Sequence, residues 1–233
     1  MVVCKSGEYR EVRYTWRRWR ILKELRTRAI KIMHVFVKYG FRPYVYGSLA
    51  RGDVDKDSDI DITFLHSVDP NIIEVLLSGH GFPIEAKYII MATPTYTPKA
   101  YIWLDIEGKE QISTFLRKPQ ARFVEFYKFG GLLDYIGLID NKRVMGVDKR
   151  LMLIRPTSKG HVESCIIGRE GEVAKLLNIS QDVVLERVRK LTKRSEVGRT
   201  GIYLEYKLRD DESFGEAIAV LRKTNKYFRK MID

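Results

Sequence analysis

The sequence predicts an α/β (α+β) protein, on three observations. Apolar residues recur every three or four positions from Thr15 to Lys38, the signature of an amphipathic helix. Between residues 44 and 107 the pattern changes to short apolar or alternating runs broken by Gly, Pro and Asp, the signature of strands and turns. From residue 170 onward short helical patterns return, with one further alternating run.

A chain of 233 residues, 45% of them hydrophobic, buries a substantial core in one large domain or two small ones. Its formal net charge of +12 attracts polyanions, nucleic acid first and anionic membrane second. The two cysteines, Cys4 and Cys165, have no paired spacing, which argues against a disulfide framework and a zinc ribbon and for a reducing cytoplasm. No stretch has the length of a membrane span, and the N-terminus lacks the apolar core of a signal peptide, so a soluble cytoplasmic protein is expected.

In the first helix Trp16, Trp19, Leu22, Leu25, Ala29, Ile32, Met33 and Phe36 form the apolar side, opposite Arg17, Arg20, Glu24, Arg28 and Lys31. The Trp16 to Arg20 cluster suits either base stacking with phosphate contacts, or core tryptophans with solvated arginines. Next, Tyr44 to Thr63 reads YVYGSLARGDVDKDSDIDIT: a short apolar run, a break at Gly47-Ser48, a polar loop, then alternation of Asp59, Ile60, Asp61 and Ile62. Successive strand residues point to opposite faces, so Asp59 and Asp61 share one face and ask for a cation between them. Asp69-Pro70 opens a helix carrying Ile72, Ile73, Leu76 and Leu77. Strands follow over Ile84 to Thr93 and Lys99 to Glu107, joined through Pro94 to Pro98. Asp105, between Leu104 and Ile106, is the expected third metal-facing carboxylate, with Glu85 its competitor.

Gln120 to Asp134 reads helical, with Gly130-Gly131 interrupting it or permitting a close approach, and Lys149 to Arg155 reads as a strand. Glu170 to Leu177 and Ser180 to Leu191 form a helix-turn-helix pattern with Ser180 as cap. A hairpin with its tip at Gly198 to Gly201 and an alternating run from Ile202 to Arg209 follow, and a last helix spans Phe214 to Met231. Helix, turn, helix, hairpin is the order of a winged-helix module, which this stretch resembles. Its outward Arg187, Arg189 and Lys190, with Arg199 at the wing tip, form a candidate nucleic-acid surface; a basic face used only for packing or dimerisation is the other reading. The expected domains are residues 1–118, a helical connection over 119–141, and a winged-helix-like domain over 142–233.

Gly47-Ser48, Arg51-Gly52 and then Ser58-Asp59-Ile60-Asp61 resemble the signature of the polymerase-beta-like nucleotidyltransferase superfamily, particularly its minimal and archaeal members with a GSxARG…SDIDI pattern. The resemblance is close over Tyr44 to Leu65 and extends by pattern to Arg117. It implies a nucleotidyltransferase fold, a mixed sheet flanked by helices, and Mg²⁺-dependent transfer of a nucleoside monophosphate from a nucleoside triphosphate such as ATP to a hydroxyl, releasing pyrophosphate. It also implies that Asp59 and Asp61 hold two Mg²⁺ ions, with Asp105 as the third acid. Gly47 and Ser48 would bind the phosphates, and Arg51 either neutralises phosphate or pairs with Asp53, Asp55 or Asp57. The acceptor implied by the charge is RNA or DNA, with protein hydroxyls and small molecules also within the superfamily. The rival reading is a nucleotide- or DNA-binding regulator, or antitoxin-like module, on the same fold. A calcium loop is excluded because DVDKDSDID lacks the sharp-turn glycine and closing glutamate. His34 reads as a packed core residue, and His66, His80 and His161 have no metal-ligand spacing.

Overall fold

A computed structural model describes residues 2–198 and 201–233. The elements follow in the order β1 (Tyr9–Arg13), α1 (Trp16–Val37), β2 (Pro43–Tyr46), α2 (Ser48–Arg51), β3 (Ile60–Ser67), α3 (Pro70–Gly79), β4 (Ala86–Met91), β5 (Lys99–Trp103) and β6 (Glu110–Phe115). After these come α4 (Ala121–Gly130), β7 (Leu132–Asp134), α5 (Tyr135–Ile139), β8 (Gly146–Val147), β9 (Met152–Thr157) and β10 (Gly160–Cys165). The chain closes with α6 (Glu170–Leu177), α7 (Gln181–Val197), β11 (Leu204–Lys207), α8 (Phe214–Thr224) and α9 (Lys226–Ile232).

Local chemistry fixes many of these boundaries. Asp69 caps α3 by accepting the Asn71 amide at 2.9 Å, with Pro70 at the first helical position. Asn178 ends α6 in the left-handed region, φ 50°, which an asparagine tolerates. Ser180 begins α7, yet its hydroxyl donates to Glu125 at 2.7 Å and does not cap its own helix. The expected last helix is two, because Asn225 turns extended and its side chain accepts the Tyr227 and Phe228 amides to start α9.

The chain forms two compact units that interleave along the sequence. One comprises Met1–Ile30, Val45–Ser58 and Ala121–Thr200. Its sheet has the antiparallel order β1-β10-β9-β8, and its core gathers Phe129, Leu151, Leu153, Ile154, Ile166, Val173, Val184 and Leu191. The other comprises Lys31–Tyr44, Asp59–Gln120 and Gly201–Asp233. Here the strand order is β11-β4-β5-β6-β3, with β3 and β6 parallel and the remaining pairs antiparallel, a mixed sheet. Its core is built on Ile32, Met33, Phe36, Ile62, Phe64, Ile73, Leu77, Ile89 and Phe214, with the Phe36 and Phe64 rings edge to face at 5.3 Å.

Four expectations are corrected. The division into residues 1–118, 119–141 and 142–233 fails because β1 pairs with β10 and β11 pairs with β4, so neither half of the chain closes a sheet by itself. The expected wing is not a hairpin on the two helices: Leu204 to Lys207 lie in register with Met91 to Tyr88. The strand expected over Lys99 to Glu107 ends at Trp103. Finally, Cys4 and Cys165 form a disulfide, with Cα atoms 5.7 Å apart across a sequence separation of 161. The β1–β10 register, which sets Tyr9 opposite Ser164, brings them together, and sequence spacing carries no trace of such long-range pairing. Among the described residues no helix is long and apolar enough to cross a membrane.

Candidate active site

The Gly47 turn is built from buried pieces of one unit. Gly47 adopts φ 77°, ψ −144°, a conformation that favours glycine, and its amide donates to the Gly131 carbonyl at 2.9 Å. A Cβ at Gly47 would meet nothing within 4 Å, so the glycine is needed for its backbone angles and the space beside it is open. Ser48 starts α2 half-buried, while Leu49 and Ala50 are fully buried. Beneath α2 lies Arg26, 4% exposed, whose guanidinium donates to the carbonyls of Leu49, Ala50 and Lys142 at 2.7–3.2 Å. Burial, with the neighbouring Arg143 charge, lowers its pKa to about 10.

Arg51 is turned inward. Its guanidinium pairs with Asp53 at 2.9 Å and donates to the Gly130 carbonyl, at 6% and 9% side-chain exposure for the two ionic partners. Of the two roles expected for Arg51, the loop pairing is realised. Gly131 answers the question of the paired glycines: a Cβ there would lie 2.7 Å from Arg51 Cγ. Arg18 pins the same loop through the carbonyls of Val54 and Asp53 at 2.8 and 2.9 Å. Asp55 is a turn residue, accepting the Asp57 amide at 2.9 Å and the Ser58 hydroxyl.

The aspartates belong to the other unit. Asp59 immediately precedes β3 and Asp61 lies within it; both are half-buried while Ile60 and Ile62 are buried, which is the alternation the sequence predicts. Beside β3 runs β6, with Asp61 opposite Gln111 and Thr63 opposite Ser113. The Gln111 amide nitrogen donates to Asp61 Oδ1 at 2.5 Å.

Neither candidate third acid stands beside these two. Asp105 sits in the β5–β6 turn, where its carboxylate accepts the Glu110 amide at 3.0 Å and its carbonyl accepts the Gly108 amide. Glu85 is exposed just before β4, and β5 and β6 intervene between β4 and β3. Among the described residues there is no group of three or more His, Cys, Asp or Glu side chains that could hold a metal ion. Two carboxylates two residues apart on one strand face suit a single divalent cation that completes its shell with phosphate oxygens and water. They do not provide the three-acid set expected for two ions, because the position facing Asp61 on β6 holds a neutral glutamine and not a carboxylate.

Residues 26–129 match the family model described as a nucleotidyltransferase domain. The likeness covers 104 of the 233 residues. No curated protein matches the chain. The matched stretch runs from within α1 to the end of α4 and contains both the Gly47 turn and the Asp59–Asp61 strand, as the polymerase-beta-like resemblance implies. The mixed sheet flanked by helices is consistent with the nucleotidyltransferase fold, and the family acts on nucleotides with divalent cations.

The polar face of this domain's sheet continues beyond Asp61. Lys99, 3% exposed, donates to Ser113 Oγ at 2.7 Å and Thr63 Oγ1 at 3.3 Å, between the Tyr101 and Phe115 rings at 5.1 and 5.0 Å. Burial lowers its pKa to about 7, against the opposing pull of Asp61. Sequence reading passed over Arg26, Lys99 and Gln111. Arg26 falls on the apolar stripe between Leu22 and Ala29, where a cation must find carbonyls, and that spacing was the available signal. Gln111 and Lys99 needed the register of β6, a strand the sequence reading left out.

Each described nucleic-acid candidate on α7 has a partner of its own. The Arg187 guanidinium lies 4.8 Å above the Phe126 ring, Lys190 pairs with Glu186, and Arg189 donates to the Leu185 carbonyl one turn back on α7. Arg199 lies outside the described residues. Trp16 is 71% exposed with the Arg20 guanidinium 5.0 Å from its ring, so of the two tryptophans Trp16 is not a core residue.

Proposed function

We propose that this protein transfers a nucleoside monophosphate from a nucleoside triphosphate to a hydroxyl acceptor, releasing pyrophosphate. The observation that carries it is the half-buried pair Asp59 and Asp61 at the start of β3, inside the stretch that matches the nucleotidyltransferase domain and twelve and fourteen residues after Gly47. Asp59 and Asp61 hold the Mg²⁺ that accompanies the triphosphate. A divalent cation held there would neutralise charge at the reacting phosphate and on the leaving group. Within its own unit, the Gly47 turn offers the Ser48 hydroxyl and backbone amides as phosphate donors, and Arg26 and Arg51 hold that turn in shape. The acceptor oxygen bonds to the α-phosphorus as the bond to the β-phosphate oxygen breaks.

Nucleic acid is the acceptor class that the charge favours. A net charge of +12, the exposed Trp16 with Arg20, and Arg187, Arg189, Lys190 and Arg199 on and after α7 supply the phosphate-binding and stacking groups such a partner requires. The test is pyrophosphate release with Mg²⁺ and each of the four labelled nucleoside triphosphates over an RNA, DNA and protein acceptor panel. Label transfer that vanishes in Asp59→Ala and Asp61→Ala, with folding intact, is the expected result. The second reading, a nucleotide- or DNA-binding regulator or antitoxin-like module, is favoured by one observation, the glutamine facing Asp61. Absence of transfer together with steeply salt-dependent duplex binding selects it.

A further inference from the structure

From β6, the Gln111 side chain reaches Asp61. The parallel register places it directly opposite Asp61, and residues paired across neighbouring strands share a face. An ionised carboxylate only accepts hydrogen bonds, so the amide presents its nitrogen, and the 2.5 Å contact commits Asp61 Oδ1 to an N–H donor. The next position on that face repeats the arrangement: Ser113 opposes Thr63, and the Lys99 nitrogen joins both hydroxyls. Along β6 this face therefore presents hydrogen-bond donors toward β3, and the acids expected as oxygen ligands are elsewhere, Asp105 spent on its own turn and Glu85 beyond two strands.

We propose that Gln111 restricts the centre to one divalent cation, bound by Asp59 and Asp61 and shared with the phosphates of the nucleotide. Gln111 acts as a positioning residue: its amide fixes Asp61 and excludes a second cation from the β6 side. Magnesium sites made of one or two carboxylates plus substrate phosphates are chemically sufficient, so a single ion is compatible with nucleotide binding. This proposal rests on nucleotide binding at Asp59 and Asp61, and the experiment separates the two.

The probe is Mn²⁺, counted by electron paramagnetic resonance in the presence of a saturating α,β-methylene triphosphate, with bound analogue measured in parallel by equilibrium dialysis. Wild type is expected to hold one Mn²⁺ per bound analogue, Gln111→Ala one, and Gln111→Glu, which adds an oxygen ligand facing Asp61, two. Two ions per analogue in wild type overturn the proposal while leaving the nucleotide reading standing. A count unmoved by Gln111→Glu in folded protein removes the assignment to this residue. Analogue that does not bind at all removes the proposed function and this proposal with it. If Gln111→Glu does not fold, the wild-type count still decides: two ions per bound analogue overturn the single-ion centre.

Discussion

Replacing Lys99 by methionine should stabilise the protein below neutral pH and do so less and less as pH rises. Methionine keeps the length of the stem and removes the ammonium, while Ser113 Oγ still donates to Thr63 Oγ1 at 3.2 Å. Burial lowers the lysine from 10.5 to about 7 in the folded protein, and at about 1.4 kcal/mol per pH unit this is on the order of 5 kcal/mol against the charged form. Below pH about 7 the amine is protonated in both folded and unfolded chains, and the whole cost is present. Between about 7 and 10.5 the unfolded chain binds the extra proton, so wild-type stability climbs with pH through that window and the advantage of the variant fades. Urea midpoints for both proteins by far-ultraviolet circular dichroism, from pH 6 to pH about 10, read the difference directly. A Lys99→Met protein less stable than wild type at pH 6, or a difference constant across the range, would refute the reasoning.

Arg51→Met leaves Asp53 buried without its partner at 9% side-chain exposure, and loss of one member of such a pair costs about 3–5 kcal/mol, measurable as a lowered urea midpoint; Asp53→Asn paired with it should recover part of that loss. Reduction of the Cys4–Cys165 disulfide should lower thermal stability by about 2–5 kcal/mol, while the untreated folded protein should yield no titratable thiol; two reactive thiols without reductant would contradict the pairing. Burial alone would raise the Glu163 carboxyl, but hydrogen bonds from His161, Arg150 and Arg10 outweigh it and hold the group well below the usual carboxylate range. Its stabilising contribution is therefore present above about pH 4.3, the unfolded value, and is lost as pH falls through the folded value. A gap in stability between wild type and Glu163→Gln that closes on acidification is the expected outcome, and a gap independent of pH would count against it.

The part of the site written in local pattern was legible. Alternation of Asp59, Ile60, Asp61 and Ile62 fixes which side chains share a face, and Gly47 announces its own backbone angles. What depended on register was not. Asp105 looked like a strand residue between Leu104 and Ile106, whereas Asp105 and Gly108 together mark the turn that ends β5. Once the turn falls there, β6 begins at Glu110, and its alternating Gln111, Ile112, Ser113 sets an amide beside Asp61. The fold followed the same division. Helix boundaries at α1, α3 and α6 came from periodicity and caps, while the run from Ile202 to Arg209 revealed a strand without naming its partner on β4. Likewise, nothing within reach of Cys4 in sequence points to Cys165; only the β1–β10 pairing does.

That β11 completes the sheet at β4 has a consequence for how the protein is made. Until Leu204 to Lys207 leave the ribosome, the backbone groups of Tyr88 to Met91 form an open strand edge flanked by Ile89 and Ile90. Such an edge recruits other strands, so a product truncated near residue 200 is expected to aggregate. Once made, β11 pairs that edge, and the stretch that reads like an appendage is a strand of the mixed sheet.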